Sequence, residues 1–365
     1  MSTAVTPSAP TRDTGSGEPA TGQSPLRRFL AALVRALLTQ RIVLLLVLLV
    51  AVVVTFVVLS QRNYLTAAYD LSYMSTALIS AVPLVMLGLA ELLVITSGRG
   101  GIDLSVGANV SLTSMVFGFA YGEWGWPLWA GILLAAVFGG LLGAINGYLI
   151  AYIGYPALIT TLATYYAYSS LAVVINGQQP ISTGPIQKLY STAESVNVLG
   201  LPVPLGTLTF LLPTAVVVWL VLNRTTYGRR LYAIGTNDVA AEWTGIDVRR
   251  SRFTAYVLAG VVSGLVAVVT VAQFASARPD AGTAGNGMAL PAITIAVLGG
   301  VAITGGIGRV AGVVLATLLI VWLNAGILLA VSGNAGSQFQ LFALGAVLVF
   351  AALLNGLTTR RYGAR

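Results

Sequence analysis

The sequence predicts an all-α fold: a polytopic transmembrane helical bundle of about ten spans with both termini cytoplasmic. Three observations carry that prediction. Only 8% of the 365 residues are charged, against 57% hydrophobic. Uncharged stretches of about twenty residues, the length that matches a bilayer's hydrocarbon core, recur from Ile42 to Gly356. The arginines fall almost entirely on one side of the alternating spans.

Residues 1–25 are rich in Ser, Thr, Pro and Gly and hold almost no large apolar side chain, so they read as a disordered cytoplasmic tail. Over 26–41, Leu26, Phe29, Leu30, Leu33 and Leu37 share one side of a helix while Arg27, Arg28 and Arg35 lie elsewhere, the pattern of an interfacial amphipathic helix. Ile42 to Leu59 is the first span. It is too long, starts too late and lacks the small-x-small site of a cleaved signal peptide. Further spans are expected at about 75–97, 104–121, 127–152, 156–175, 205–222, 252–273, 288–305, 309–331 and 338–357, giving a transmembrane domain of 42–357 and a basic cytoplasmic tail of 358–365. With the N-terminus inside, the inner segments collect sixteen of the nineteen basic residues and leave Arg62, Lys188 and Arg278 outside. An odd number of spans would split the two richest arginine clusters across the membrane. Small residues at helix-packing spacing, among them Gly139, Gly140, Gly143, Gly299 and Gly300, point to closely packed helices. No convincing internal repeat is present.

Composition removes several function classes. The chain holds no His and no Cys, the usual ligands of zinc, copper, haem and iron–sulfur centres, so no metal or other cofactor is expected. Its one lysine, Lys188, sits in nothing like a phosphate-cradling loop, so uphill work must draw its energy from another subunit or an ion gradient. The net charge of +8 reports membrane topology rather than a nucleic-acid partner.

Three places carry chemistry. Between the second and third spans, Gly98, Gly100 and Gly101 break the helix and Asp103 and Ser105 follow. This is either an element of a translocation path or a turn in which Asp103 caps the next helix. Glu91 lies inside an apolar span, where an ionised carboxylate costs roughly 2.5–3.5 kcal/mol. It is either a polar contact in the path or a hydrogen-bonding group between helices, and Asn109, Asn146 and Gln273 pose the same choice. The third place is the cytoplasmic loop 223–252. There Asn237 or Asp238 starts a short helix, Ala240, Ala241, Glu242 and Trp243 continue it, and Gly245 ends it. Rimmed by Arg229, Arg230, Arg249 and Arg250, this helix has the form of a segment that docks into a groove of a soluble partner. The opposing reading leaves the arginines as span anchors and the helix idle, with Trp243 and Ile246 exposed to no purpose.

From about residue 70 to 357 the chain resembles the membrane permease subunits of bacterial ATP-binding-cassette importers for monosaccharides, the ribose-type branch. The resemblance rests on Gly100-Gly101-Ile102-Asp103-Leu104-Ser105-Val106-Gly107, Tyr227-Gly228-Arg229-Arg230 with Ala233-Ile234-Gly235, and Ala240-Ala241 followed by Thr244-Gly245-Ile246. Ala292-Ile293-Thr294, Leu298-Gly299-Gly300 and Gly305-Gly306-Ile307-Gly308 fit the branch's late glycine pattern. Asn197 to Pro204, Ser276 to Asp280 and Leu290 to Thr294 look most like autoinducer-2 import permeases and somewhat like rhamnose permeases. The docking segment departs from the branch in Glu242-Trp243, and the glycine loop in Arg99. The resemblance implies a multi-pass subunit of the bacterial plasma membrane, not itself an enzyme, that works with an ATPase subunit, a second permease subunit and an extracytoplasmic solute-binding protein. Its rivals are a branched-chain amino acid permease of the same class and an ion-coupled secondary transporter. The latter needs several intramembrane carboxylates, and only Glu91 and Asp103 are available.

Overall fold

The structure is a computed structural model that describes residues 40–198, 201–284 and 287–362. The expected tail 1–25 and all but the last two residues of the expected interfacial helix 26–41 lie outside the described residues. In chain order the elements are α1 (Arg41–Gln61), α2 (Leu71–Thr96), α3 (Val106–Phe117), α4 (Leu128–Tyr148), α5 (Ala157–Val174), α6 (Gly184–Lys188), β1 (Ser195–Val198), β2 (Leu201–Pro204), α7 (Leu212–Arg224), α8 (Thr226–Thr236), α9 (Asp238–Trp243), α10 (Val248–Phe274), α11 (Ala289–Leu298), α12 (Val310–Ala330) and α13 (Asn334–Tyr362). Wider π-type turns extend α3 through Gly118–Glu123 and α4 through Leu149–Ile153, and lead into α7 over Thr207–Leu211.

Acidic residues start the two central helices. Asp70 accepts from the Tyr73 amide at the head of α2, and Asp247 from the Arg250 amide at the head of α10. Over their most apolar windows α2 and α10 are 78% buried, whereas α1 and the helix ending at Arg224 are 17% buried, so the former are the core and the latter the periphery. α4 lies along α10 with glycine against backbone. A Cβ on Gly139 would strike the Gly260 carbonyl, and one on Gly143 the Tyr256 carbonyl. In lipid, where apolar side chains gain nothing by leaving the solvent, this close approach is what holds helices together.

The turns gather at two ends. At one, Gly98, Gly235 and Gly305 pack backbone to backbone, and the Gly306 amide donates to Thr96 O at 3.1 Å. At the other, the Thr66 amide donates to Leu329 O at 2.9 Å, and Ile181 pairs with Ala277. The antiparallel hairpin β1–β2, with Val196 opposite Val203, belongs to this second end and is a small departure from the expected all-α fold. The Ser75 hydroxyl on α2 bonds Pro202 O and ties the hairpin down.

Among the described residues seven helices are long and apolar enough to cross a membrane: Arg41–Gln61, Leu71–Thr96, Leu128–Ile153, Ala157–Val174, Thr207–Arg224, Val248–Phe274 and Val310–Ala330. Each matches an expected span. The three others do not reach that standard, for physical reasons. The expected 104–121 span is α3, whose Asn109, Ser111, Thr113 and Ser114 are all buried, so protein rather than lipid surrounds it. The expected 288–305 span ends at Leu298, where Gly299 and Gly300 follow, the latter at φ +90°, a conformation that glycine adopts readily. The third lies in α13, whose described apolar stretch is Asn334–Phe350.

Candidate functional site

The segment 225–247 is built on the first end of the bundle. The Thr225 hydroxyl oxygen accepts from the Gly228 amide at 3.1 Å and starts α8. Tyr227 Oη then donates to Ser251 O at 3.2 Å, and Tyr232 Oη to Gly308 O at 2.8 Å, which fastens α8 to α10 and to the 299–309 turn. Burial pushes both phenols upward, with Arg309 opposing at Tyr232, so both remain donors throughout the physiological range.

Asn237 caps α9 by accepting from the Ala240 amide at 3.0 Å. At the other terminus the Gly245 amide donates to Glu242 O at 2.9 Å and the Ile246 amide to Ala241 O at 3.1 Å, with Gly245 left-handed at φ +82°. Beneath the helix Ala241 is buried and Ile246 packs on the core, so Ile246 is not the exposed residue the sequence reading expects. Above it Val239 (58% exposed) and Trp243 (87% exposed) stand one turn apart on one open face. Ala240 and Glu242 on the same helix, and Arg229 and Arg230 on α8, are exposed as well.

Asp238 differs from its neighbours. Its carboxylate turns inward to Arg99 Nε at 2.5 Å and Arg252 Nη2 at 3.5 Å, and Arg252 also donates to Ser97 O at 3.3 Å. The Arg99 side chain is 69% exposed, so that pair is worth little. The Arg252 side chain is 5% exposed, and Asp238 is its ion-pair partner among the described residues. Removing one partner of such a buried pair costs roughly 3–5 kcal/mol, because it strands the other charge. Sequence reasoning missed this triad. Its one signal is Arg99, an arginine in a left-handed conformation (φ +55°) between two glycines.

The buried polar residues form a second group. The Asp103 amide donates to Glu91 Oε2 at 3.4 Å, and Asp103 Oδ1 accepts from the Ser105 amide and hydroxyl at 2.9 and 2.6 Å. Asn146 Nδ2 donates to Ser105 Oγ at 2.7 Å and its Oδ1 accepts from Thr164 Oγ1 at 2.7 Å, so α2, the glycine loop, α4 and α5 are pinned together. Asn109 Nδ2 donates to Gly139 O at 3.0 Å, and Gln273 Nε2 to Ile79 O at 2.7 Å. Glu91, Asp103, Ser105 and Asn109 are each at most 3% exposed, which keeps their side chains from any open surface of this chain. Gln273 alone is partly exposed, beside Ile79 and Val82 under the second-end loops. Among the described residues no group of His, Cys, Asp and Glu forms a metal-binding cluster.

Comparison with known proteins fits this arrangement. Residues 73–352 match the family described as branched-chain amino acid transport system / permease component. The chain belongs to this family. It is 32% identical over 267 residues to the autoinducer 2 import system permease protein LsrD of Salmonella typhimurium, covering 72% of this chain and 77% of that one. The Enterobacter sp. (strain 638) protein of the same name is 34% identical over 273 residues, covering 73% and 80%, and that of Photorhabdus temperata 34% over 270 residues, covering 73% and 78%. No solved structure matches the chain significantly. The protein is thus a multi-pass membrane permease subunit of the ATP-binding-cassette importer class, a transport component and not an enzyme. Importers of this class work with an ATPase and a solute-binding protein.

Proposed function

We propose that the chain is the pathway subunit of an ATP-driven importer for a monosaccharide or sugar-like solute of the ribose, rhamnose or autoinducer-2 class, with α8 and α9 as the surface that its ATPase grips. The observation that carries this reading is the pair Val239 and Trp243, exposed on a short helix that is anchored from below by Ala241 and Asp238. A fixed helix with an open aromatic face, with Arg229 and Arg230 exposed on α8, has the features of a hot spot waiting for a groove. In this reading the chain crosses the membrane ten times, with α3, α11 and α13 completing the seven longer spans, and both termini lie on the ATPase side. A second permease subunit completes the pathway, and an extracytoplasmic binding protein meets the loop 176–204. Glu91, Asp103, Ser105, Asn109 and Gln273 hold the helices that border the path in register.

The family's description names branched-chain amino acids, whereas the relatives above carry the name of autoinducer 2, and the cargo reading follows the relatives. Offering labelled ribose, rhamnose, autoinducer 2 and leucine to cells that express the complete importer tests it. Uptake of at least one of the first three, not competed by excess leucine, is expected. Uptake of leucine alone would contradict the reading.

A further inference from the structure

Between Ala275 and Met288 the described chain is neither helix nor strand, yet it runs the length of α3. Ala277 lies against Gly118, Ser114 Oγ donates to Arg278 O at 2.9 Å, the Gly282 amide donates to Ser111 Oγ at 2.9 Å, and Gly282 packs on Gly107 so closely that a Cβ on either would strike the other's carbonyl. The twelve residues of α3 rise about 18 Å, so this unwound strip is as long as more than half of a hydrocarbon core roughly 30 Å thick. Its inner side bonds the serines of α3, and its own turns close further bonds, the Thr283 and Ala284 amides donating to Asp280 O at 3.0 and 2.8 Å and the Met288 amide to Gly282 O at 3.0 Å. Its outer side is open: Ala284 is exposed, Thr283 half-buried, and the Arg278 and Asp280 side chains are 40% and 44% exposed.

Lipid cannot cover such a surface, because unwound backbone at membrane depth persists only inside protein or beside water. A dry seam with a second subunit fits poorly too. It would have to desolvate the Arg278–Asp280 pair, closed at 3.0–3.1 Å through Nε and Nη2, and such a penalty often exceeds the attraction it leaves. Water meets both demands. Discontinuous helices that line a wet cavity near the midplane are also where transporters commonly bind their cargo.

We propose that the strip around Gly282, Thr283 and Ala284 is the midplane wall of the solute path, and that the Thr283 hydroxyl, 3.5 Å from Ser111 Oγ, is the group it offers to a neutral, hydroxyl-rich solute. Arg278 and Asp280 stand at its outer entrance. The proposal rests on the permease reading and goes beyond it by naming the wall.

The chain contains no cysteine, so thiols introduced one at a time report on water directly. In cells that express the complete importer, Ala284→Cys and Thr283→Cys are treated with a membrane-impermeant cationic methanethiosulfonate. Both should react at least about tenfold faster than Leu133→Cys on the exposed apolar face of α4, because the reactive thiolate forms only where water reaches. Their rates should also change severalfold when the complex is trapped with ATP and vanadate. Well-expressed, assembled Ala284→Cys and Thr283→Cys complexes that react no faster than Leu133→Cys would overturn the proposal. Failure of the permease reading itself would show separately, as an unsubstituted complex that hydrolyses no ATP in response to a loaded binding protein.

Discussion

An importer carrying Trp243→Asp is expected to insert and pair normally but to lose solute-stimulated ATP hydrolysis and uptake together. The indole is 87% exposed in the isolated chain, on a helix whose lower face is already used. In the docking proposed above it is a central aromatic anchor, and replacing such an anchor by a charge costs about 2–4 kcal/mol, or roughly 30- to 1,000-fold in affinity. Co-purification of the ATPase and the rate of hydrolysis in the presence of loaded binding protein measure this loss. Gly245→Pro should reach the same phenotype by another route. Its φ of +82° is closed to proline, and the substitution removes the amide that donates to Glu242 O. Unchanged transport by both variants would remove the docking assignment.

Asp238→Asn is expected to produce a different defect, in which the ATPase still binds but the subunit loses about 3–5 kcal/mol of stability and uptake falls with it, because a buried charge is stranded. Asp238 is the first residue of α9, while Arg252 lies at the base of α10 and also holds Ser97 at the end of α2. Motion of α9 therefore carries α10 and α2 with it, or else Arg252 loses its counter-charge. The double variant Asp238→Asn with Arg252→Gln leaves no charge stranded and should recover much of the lost assembly and stability, a coupling of about 2 kcal/mol in a double-mutant cycle. Asp238→Glu should be mild. Strictly additive losses in the cycle would show that the two residues act independently.

Much of this architecture was legible in the sequence because hydrophobic length is a direct physical demand of the bilayer. All seven long spans fall where runs of apolar residues put them, and Asn237 and Gly245 bracket α9 because caps and left-handed turns have narrow residue requirements. Two kinds of feature stayed hidden. The polarity of α3 reads as a weak span, since a single sequence does not say that Asn109 and Ser111 face protein rather than lipid. The Arg99–Asp238–Arg252 triad joins Arg99 to residues more than a hundred positions away, and no local pattern encodes that pairing. The break after Ala275 was legible, since Pro279, Gly282 and Gly287 separate the expected spans 252–273 and 288–305, but its packing along α3 against Gly107 and Ser111 was not, because no local pattern encodes that contact.

Solute accumulation in proteoliposomes tests most directly the claim that this subunit is a conduit moved by nucleotide hydrolysis elsewhere. With the ATPase, the second permease subunit and a loaded binding protein present, accumulation should require ATP and be indifferent to collapse of the proton and sodium gradients. Accumulation by the chain alone, driven by an ion gradient and unaffected by ATP, would contradict the account.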